Sequence, residues 1–398
     1  MQDGWALVAL GNVATVVNGG TPKSQVAEYW GGDVQWLTPK DMGQMEGREI
    51  SETPRTITQE GLKRSSARLV PAGSVILSTR APIGHLAMNT VPMAFNQGCR
   101  GITPSDKLNS VYLYHFLNMS RELLNELGSG TTFKELSATN LKTLSIPLPP
   151  LEEQQRIVAV LDEAFEGLAR ARAHAEANLQ NAQELIEAGL GTAFSPEVAE
   201  QHGWELCELG AIADLSYGYT TKAHSEPTGP RFLRITDIQD GAVDWSNVPF
   251  CKTPPDDYER YRVRPGDIVF ARTGATTGKS YLLTEDLEAV AASYLIRLRL
   301  TSSKLRPEYL AFFFQSDIYW ENIRAGISGS TQGGFNASKL KELEIPVPPL
   351  DVQDAVISRL TQIREQAESL AEAFADKLQD IDDLRQSLLQ KAFAGELT

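Results

Sequence analysis

The chain has 398 residues, 42% of them hydrophobic and 22% charged, with a formal net charge of −14. That length predicts two domains with connecting elements, and the balance is that of a water-soluble globular chain. No run is apolar enough to span a bilayer, and the start MQDGWALVALG has no basic region ahead of a hydrophobic stretch. Three scattered cysteines, Cys99, Cys207 and Cys251, offer neither a disulfide framework nor a metal spacing, which suits a reducing cytoplasm.

Trp5–Val17 reads as a strand, or as a short helix and strand. Gly19–Lys23 (GGTPK) is a loop by its Gly and Pro content. Val34–Leu37 is a short strand leading into Thr38–Met42, and residues 43–68 are polar without clear periodicity. Strand Val75–Ser78 precedes a loop, Thr79–Gly84, and Met93–Ile102 holds a further strand entered from a polar loop. Val111–Leu127 has helical spacing, Gly128–Thr132 is a polar loop, and Lys142–Ile146 is a last strand before Pro147, Pro149 and Pro150.

The chain then repeats itself. IPLPPLEEQ (146–154) returns as IPVPPLDVQ (345–353), an offset of 199 in a chain of twice 199 residues. Trp5, Leu10 and Gly11 recur as Trp204, Leu209 and Gly210, and Ala193-Phe194 recurs as Ala392-Phe393. Between these anchors Gly218–Lys222 answers Gly19–Lys23, and Arg264–Gly278 answers the stretch ending ILSTRAPIG. Ala292–Leu300 answers FNQGCRGI. Scaffold phrases match while polar loops differ, the signature of a duplicated unit.

Each unit ends in a long helix. The prolines hold the backbone extended, so a helix can start only after them. On the first helix Val158, Leu161, Phe165, Leu168, Ala175, Leu179, Ala182 and Ile186 step by threes and fours, with Arg172 in one polar slot. On the second, Leu360, Ile363, Ala367, Leu370, Phe374, Ile381, Leu384 and Leu388 do the same, interrupted by Lys377. This is a coiled-coil seam, and about 40 residues make a rod of roughly 60 Å. The two helices most simply pair antiparallel; the alternative is that each packs on its own domain. The fold class expected is α+β: two similar domains of small mixed sheets and short helices, over 1–145 and 200–344, separated by a coiled coil from 146–199 and 345–398.

Charge is unevenly placed. Residues 1–150 carry a net +1 and residues 200–349 a net −4, while 151–199 and 350–398 carry −6 and −5. An acidic rod is a poor surface for DNA and a fair one for protein partners, whereas either near-neutral globular unit can hold a basic face.

Catalytic chemistry finds little support. GATTGKS (274–280) resembles a phosphate-binding loop but has three residues between its glycines where that loop needs four. The strand-like Tyr281-Leu282-Leu283 comes after it, not a helix terminus. Histidines 85, 115, 174, 202 and 224 show no ligand spacing, and no S-adenosylmethionine turn or Asn-Pro-Pro-aromatic stretch is present.

Recognition suits the loops better. Arg and Lys read guanine, Asn and Gln read adenine, and hydroxyls contact phosphate. In the first unit the candidates are Lys40, Arg80, Asn96 and Gln97, with Thr21, Lys23, Thr79, Thr131 and Thr132 around them. In the second they are Arg234, Arg272, Tyr294 and Gln332, with Thr220, Lys222, Thr236, Thr273, Ser293, Ser330 and Thr331. Taken singly, each is better explained as a surface or structural residue; what favours them is their place in loops that differ on a repeated scaffold.

With the doubled junction I-P-x-P-P-L-x-x-Q and the phrases WGGDVQWLTPKDM, ILSTRAPIG and RPGDIVFARTGATTG, nearly the whole chain resembles the DNA specificity subunits of type I restriction–modification systems. The resemblance implies a non-catalytic protein whose two target-recognition domains each bind half of a bipartite DNA target. The helices would set the gap and dock two modification (methyltransferase) subunits. It places S-adenosylmethionine, ATP and Mg on partner subunits, among them a restriction translocase and nuclease, and no cofactor on this chain. The rival readings are a coiled-coil protein scaffold that never touches nucleic acid, and an ATPase built on Gly274–Ser280.

Overall fold

The computed structural model describes residues 5–130, 134–239, 241–328 and 334–397. They form two compact units, Met1–Ala175 with Asp376–Thr398, and Glu176–Ala375. Neither unit is half of the sequence. Each takes its globular part and one helix start from one repeat, and the end of the other long helix from the other repeat.

In the first unit Trp5–Val17 resolves as strand Ala6–Ala9, a helical turn Leu10–Val13 and strand Ala14–Asn18. The last of these edges a five-stranded sheet ordered Ala14–Asn18, Cys99–Pro104, Val75–Thr79, Ile83–Asn89, Glu49–Ile50. Val75–Thr79 is buried throughout because both faces of the sheet are covered. Val75 and Leu77 meet Leu113 and Phe116 on one face, and Ile76 meets Leu37 and Phe95 on the other. Thr56–Ile57, Trp30–Leu37 and Met93–Phe95 make a second, three-stranded sheet. Several elements differ from the sequence reading. Lys142 closes a helix, Ala138–Lys142, and the last strand is Ser145–Leu148, taking in Pro147. The single strand expected in Met93–Ile102 is two, Met93–Phe95 and Cys99–Pro104. Strand Ile83–Asn89 begins inside the expected loop, and Val111–Leu127 is two helices, Ser110–Met119 and Arg121–Glu126, with Ser120 between them.

The second unit repeats the plan around Ala213–Tyr217, Leu295–Leu300, Ile268–Ala271 and Ser280–Leu282, with another four-stranded sheet containing Arg231–Leu233 and Ala289–Ala291. In both units the strand after the opening residues pairs with the strand before the prolines. Leu7 lies opposite Pro147 in one ribbon, and Leu206 opposite Pro346 in the other.

The long helices span Leu151–Ala193 and Leu350–Ala394. Each begins directly after its proline pair with acids in the first turn, where they complement the positive end of the helix dipole. A buried glutamine fixes each start. The Gln154 side chain accepts from the Asn109 amide at 2.8 Å and donates to the carbonyls of Lys107 (3.0 Å) and Pro149 (2.8 Å). Gln353 accepts from the Arg306 amide at 2.8 Å and donates to Lys304 (2.7 Å) and Pro348 (2.8 Å). The Q that closes each junction motif therefore clamps helix to domain by satisfying three backbone groups.

Both helix readings are partly right, because each helix start packs on its own domain and then meets the other helix. In the first unit Ile157 and Leu161 share a core with Leu389, Ala392 and Phe393. Arg385 lies 4.8 Å over the Phe165 ring, and Arg172 pairs with Asp382. As numbers rise on one helix they fall on the other, so the segments are antiparallel. In the second unit Leu190 and Ile186 pack with Leu360 and Ile363. Leu161, Phe165, Leu168, Leu179 and Ile186 are buried or partly buried along the first helix, as are Leu360, Ile363, Phe374 and Ile381 along the second. Leu370 and Leu384 are not: both are exposed, while Ala371, Phe374, Leu378 and Ile381 step through the sheltered positions by threes and fours. The expected seam runs through Leu370 and Lys377 where Ala371 and Leu378 are the sheltered residues, one position out of phase at each.

The ends of the helices close the cores. Phe393 packs 4.9 Å from Tyr112 and 5.3 Å from Phe116, and Phe194 packs 5.1 Å from Tyr309 and 5.6 Å from Phe313. The repeated Ala-Phe pair is thus a reciprocal anchor, with each repeat finishing the core of the other's domain. Truncating such a buried ring costs about 3–5 kcal/mol.

Candidate nucleic-acid interface

In the first unit the loop after Ala14–Asn18 presses onto the segment that joins Met93–Phe95 to Cys99–Pro104. The amides of Gly19 and Gly20 donate to Cys99 and Phe95 carbonyls, and a Cβ at Gly19 would lie 2.0 Å from the Asn96 carbonyl oxygen. Only glycine permits that approach. It delivers Thr21 to Gln97, whose side chains are hydrogen-bonded, and to Asn96, whose Nδ2 is 3.5 Å from the Thr21 hydroxyl. Lys40 is exposed on a helical turn, Pro39–Met42, capped by Thr38 and Asp41, and Lys23 is exposed at the end of its loop. A Cβ on Gly98 would sit 3.6 Å from Pro39 and 3.8 Å from Arg80, so these loops converge at one end of the sheet.

Arg80 is already engaged. Its guanidinium donates to Glu135 at 2.6 Å, and the buried Arg100 reaches the other carboxylate oxygen at 3.0 Å. The hydrogen bond from Arg80, supported by that from Arg100, holds the Glu135 carboxyl below the usual carboxylate range. Glu135 and Arg100 lie outside the sequence candidates. A lone acid in a polar loop, and an Arg in a strand phrase, carry no signal until the sheet places them side by side. Thr79 requires a correction. Its side chain is fully buried and its hydroxyl donates to the Gly98 carbonyl at 3.1 Å, so it is structural. Thr131 and Thr132 lie outside the described residues.

In the second unit Arg272 donates from Nε to the Ser293 carbonyl at 3.1 Å and lies 5.0 Å over the Tyr217 ring, beside the exposed Tyr294. Thr273 adjoins it, and Thr220 and Lys222 lie on the neighbouring loop, the first exposed and the second at its outer end. Arg234 forks onto Asp237 through Nε (3.0 Å) and Nη2 (2.6 Å), and Thr236 is exposed in the same turn. Ser330, Thr331 and Gln332 fall outside the described residues. Arg272 is not the counterpart of Arg80. The Leu136 amide donates to Thr79 at 3.1 Å as the Phe335 amide donates to Arg272 at 2.9 Å, which matches Arg272 with Thr79.

Gly274–Ser280 forms a single 3-10 turn, Gly274–Thr276, and leads into strand Ser280–Leu282. A phosphate-binding loop opens instead onto a helix N-terminus, whose amides cradle the anion. No helix among the described residues is long and apolar enough to cross a membrane.

A duplicated scaffold whose matching loop clusters differ in chemistry describes a binding protein with two recognition surfaces. Comparison makes that specific: the family model for the type I restriction modification DNA specificity domain matches twice, at residues 2–174 and 201–374. The chain belongs to this family, as a non-catalytic subunit that recognises DNA sequence. It is 27% identical to the MjaIX specificity subunit of Methanocaldococcus jannaschii, over 99% of this chain and 93% of that protein. It is 26% identical to the EcoKI specificity subunit of Escherichia coli K12, over 100% of this chain and 90% of that one. Its fold resembles a chain from a study of complex assembly and conformational transition of the type I system (TM-score 0.81, 22% identity, 100% and 99% covered). It also resembles the HsdS subunit of Thermoanaerobacter tengcongensis (TM-score 0.65, 21% identity, 100% and 98% covered).

Proposed function

We propose that each globular domain reads one half of a bipartite DNA target and that the paired helices fix the gap between halves. The proposal includes docking of two methyltransferase subunits, which methylate adenine with S-adenosylmethionine, and of an ATP- and Mg-dependent restriction subunit, in the cytoplasm. The observation that carries it is the loop cluster at the same end of the sheet in both units, hydroxyl and amide in one and cationic-aromatic in the other. Base edges are read by such side chains, and half-site spacing by rigid separation. Arg80, Asn96 and Gln97 in one cluster, and Arg272 and Tyr294 in the other, are the residues assigned to base edges. Lys23, Lys40, Thr220 and Lys222 are assigned to phosphates.

The test exchanges residues 1–145 for those of a specificity subunit with a different target, and maps methylated sites in cells carrying the complete system. One half of the methylated motif is expected to change while the other half and the gap stay. An unchanged motif would refute the assignment.

A further inference from the structure

One buried arginine occupies a place that the scaffold fills with a hydrocarbon. Arg100 lies opposite Leu77 across the sheet and two residues from Ile102, so it shares the face that packs the first core. Its side chain is 8% exposed. In the second unit the matching pair is Phe270 and Ile296, both fully buried in the core. A guanidinium in the place of an isoleucine is kept only if it is paired and hydrogen-bonded. Arg100 donates from Nη1 to the carbonyls of Gln97 and Cys99, both at 3.0 Å, and from Nη2 to Glu135.

Two other positions differ along with it. The bonds from Leu136 to Thr79 and from Phe335 to Arg272 align Arg80 with Thr273 and Glu135 with Gly334. Arg80, Arg100 and Glu135 in one unit therefore stand against Thr273, Ile296 and Gly334 in the other. They come from three separate stretches of chain and meet at one carboxylate, so the units differ here by a whole device.

The division of charge says what the device does. Two cations share Glu135. Arg100 is the buried one, and its charge must be neutralised where it lies; the Arg80 side chain is 49% exposed. The cluster keeps a net positive charge, so Glu135 does not silence Arg80. It fixes it: the 2.6 Å bond occupies one N–H of the guanidinium and leaves the rest of the planar fork unspent. A restrained arginine has less rotamer freedom to lose on contact. Such restraint favours a target with two acceptors in fixed geometry, as guanine presents through O6 and N7 in the major groove. A phosphate is served as well by a flexible lysine.

We infer that Glu135 and Arg100 are positioning residues that hold Arg80 as the reader of a guanine in the half-site of the first domain. This rests on the DNA-reading function proposed above. Because Arg100 also grips the Gln97 carbonyl, both readers of this cluster hang on one buried side chain.

The chain, assembled with the methyltransferase subunits of its own system, is to select from duplexes of randomised sequence, and the bound fraction is to be sequenced. R80A is expected to lose preference for guanine at one position of one half-site, by about tenfold or more. R100I/E135G installs the second unit's neutral residues and strands no buried charge. It is expected to lose the same preference at the same position with Arg80 still present, while keeping the other half-site and its non-specific affinity. Adding R80A to that pair should weaken non-specific binding without further loss of discrimination there. E135Q, which keeps the size of the side chain, should relax the same position to a lesser degree. Full guanine preference in both R100I/E135G and E135Q would overturn the positioning role. Loss of preference throughout the first half-site in both would do so too, marking an ion pair that only supports the fold. A preference lost in R80A for any base but guanine would overturn the choice of base. If R80A alters no position, base reading by Arg80 fails; if the unaltered complex selects no sequence at all, the DNA-reading function itself fails.

Discussion

The two units solve the same structural problem with different chemistry. At one register position Ser74 and Thr103 share a hydrogen bond of 2.9 Å in the first unit, and Asp267 and Arg299 form an ion pair of 2.6 Å in the second. Both pairs join the same two strands, since Val75 faces Ile102 as Ile268 faces Leu298. Where the first unit has Gly98 and Glu135 at its loop cluster, the second has the exposed Tyr294 and Gly334. The clamps Gln154 and Gln353, by contrast, are the same to within 0.3 Å in every bond. Positions that hold helix to domain resist change because three backbone groups depend on one side chain. Positions that need only a mutually compatible pair drift together, and positions facing outward are free to specialise.

The largest test of this comparison concerns the reciprocal anchors. Phe393→Ala should destabilise the first unit by about 3–5 kcal/mol and Phe194→Ala the second by a similar amount. Hydrogen exchange resolved along the chain should show each loss in the globular part of the opposite repeat. Protection lost instead within the repeat that carries the substitution would break the picture of exchanged helix ends.

Gln154→Ala and Gln353→Ala come next. Each leaves one amide and two carbonyls short of a partner, at roughly 2–3 kcal/mol, and denaturant melts should give the two variants losses within about 1 kcal/mol of each other. The coupled pair is sharper still. Asp267→Ser alone strands a partly buried guanidinium and should cost about 1–3 kcal/mol, whereas Asp267→Ser with Arg299→Thr should recover part of that loss. A double variant no better than the sum of the singles would show that the two pairs are not interchangeable.

At the recognition surfaces Arg80→Ala and Arg272→Ala should each cost ~1–3 kcal/mol of DNA affinity and relax preference at one position of one half-site. A uniform loss across sequences would reassign either residue to phosphate. Glu135→Gln should act in the opposite sense at the first unit. Releasing Arg80 should strengthen non-specific binding and steepen its salt dependence by about one counterion.

The smallest effect expected is one of pH. Burial pushes the His115 imidazole below its usual range, although Asp162 hydrogen-bonds it at 3.1 Å. Protonation therefore favours the unfolded chain. The Asp162 carboxyl is itself held low through Arg48 and His115, so stability of the first unit is fully present above the ordinary imidazole range and falls as pH drops through it. The second unit has Phe312 at the same place on its helix, three residues after Tyr309 as His115 follows Tyr112. His115→Phe should flatten the loss in the first unit between about pH 7 and 5.

The sequence by itself determined the duplication, the long helices and their starts, most of the seam, and the loops in which recognition is sought. Those features are periodic or repeated, and a fixed offset or a 3–4 spacing survives without knowledge of neighbours. It also held the family resemblance, because the junction motif occurs twice. Tertiary structure decided what depends on partners distant in the chain. Leu370 and Leu384 turned outward because the helix phase is set by the facing helix rather than by local apolarity. Thr79 became structural because its strand is covered on both faces. Glu135 emerged beside Arg80 and Arg100, 55 and 35 residues away, and Phe194 and Phe393 proved to close the cores of the opposite repeats, because only folding brings residues far apart in the chain within reach of one another.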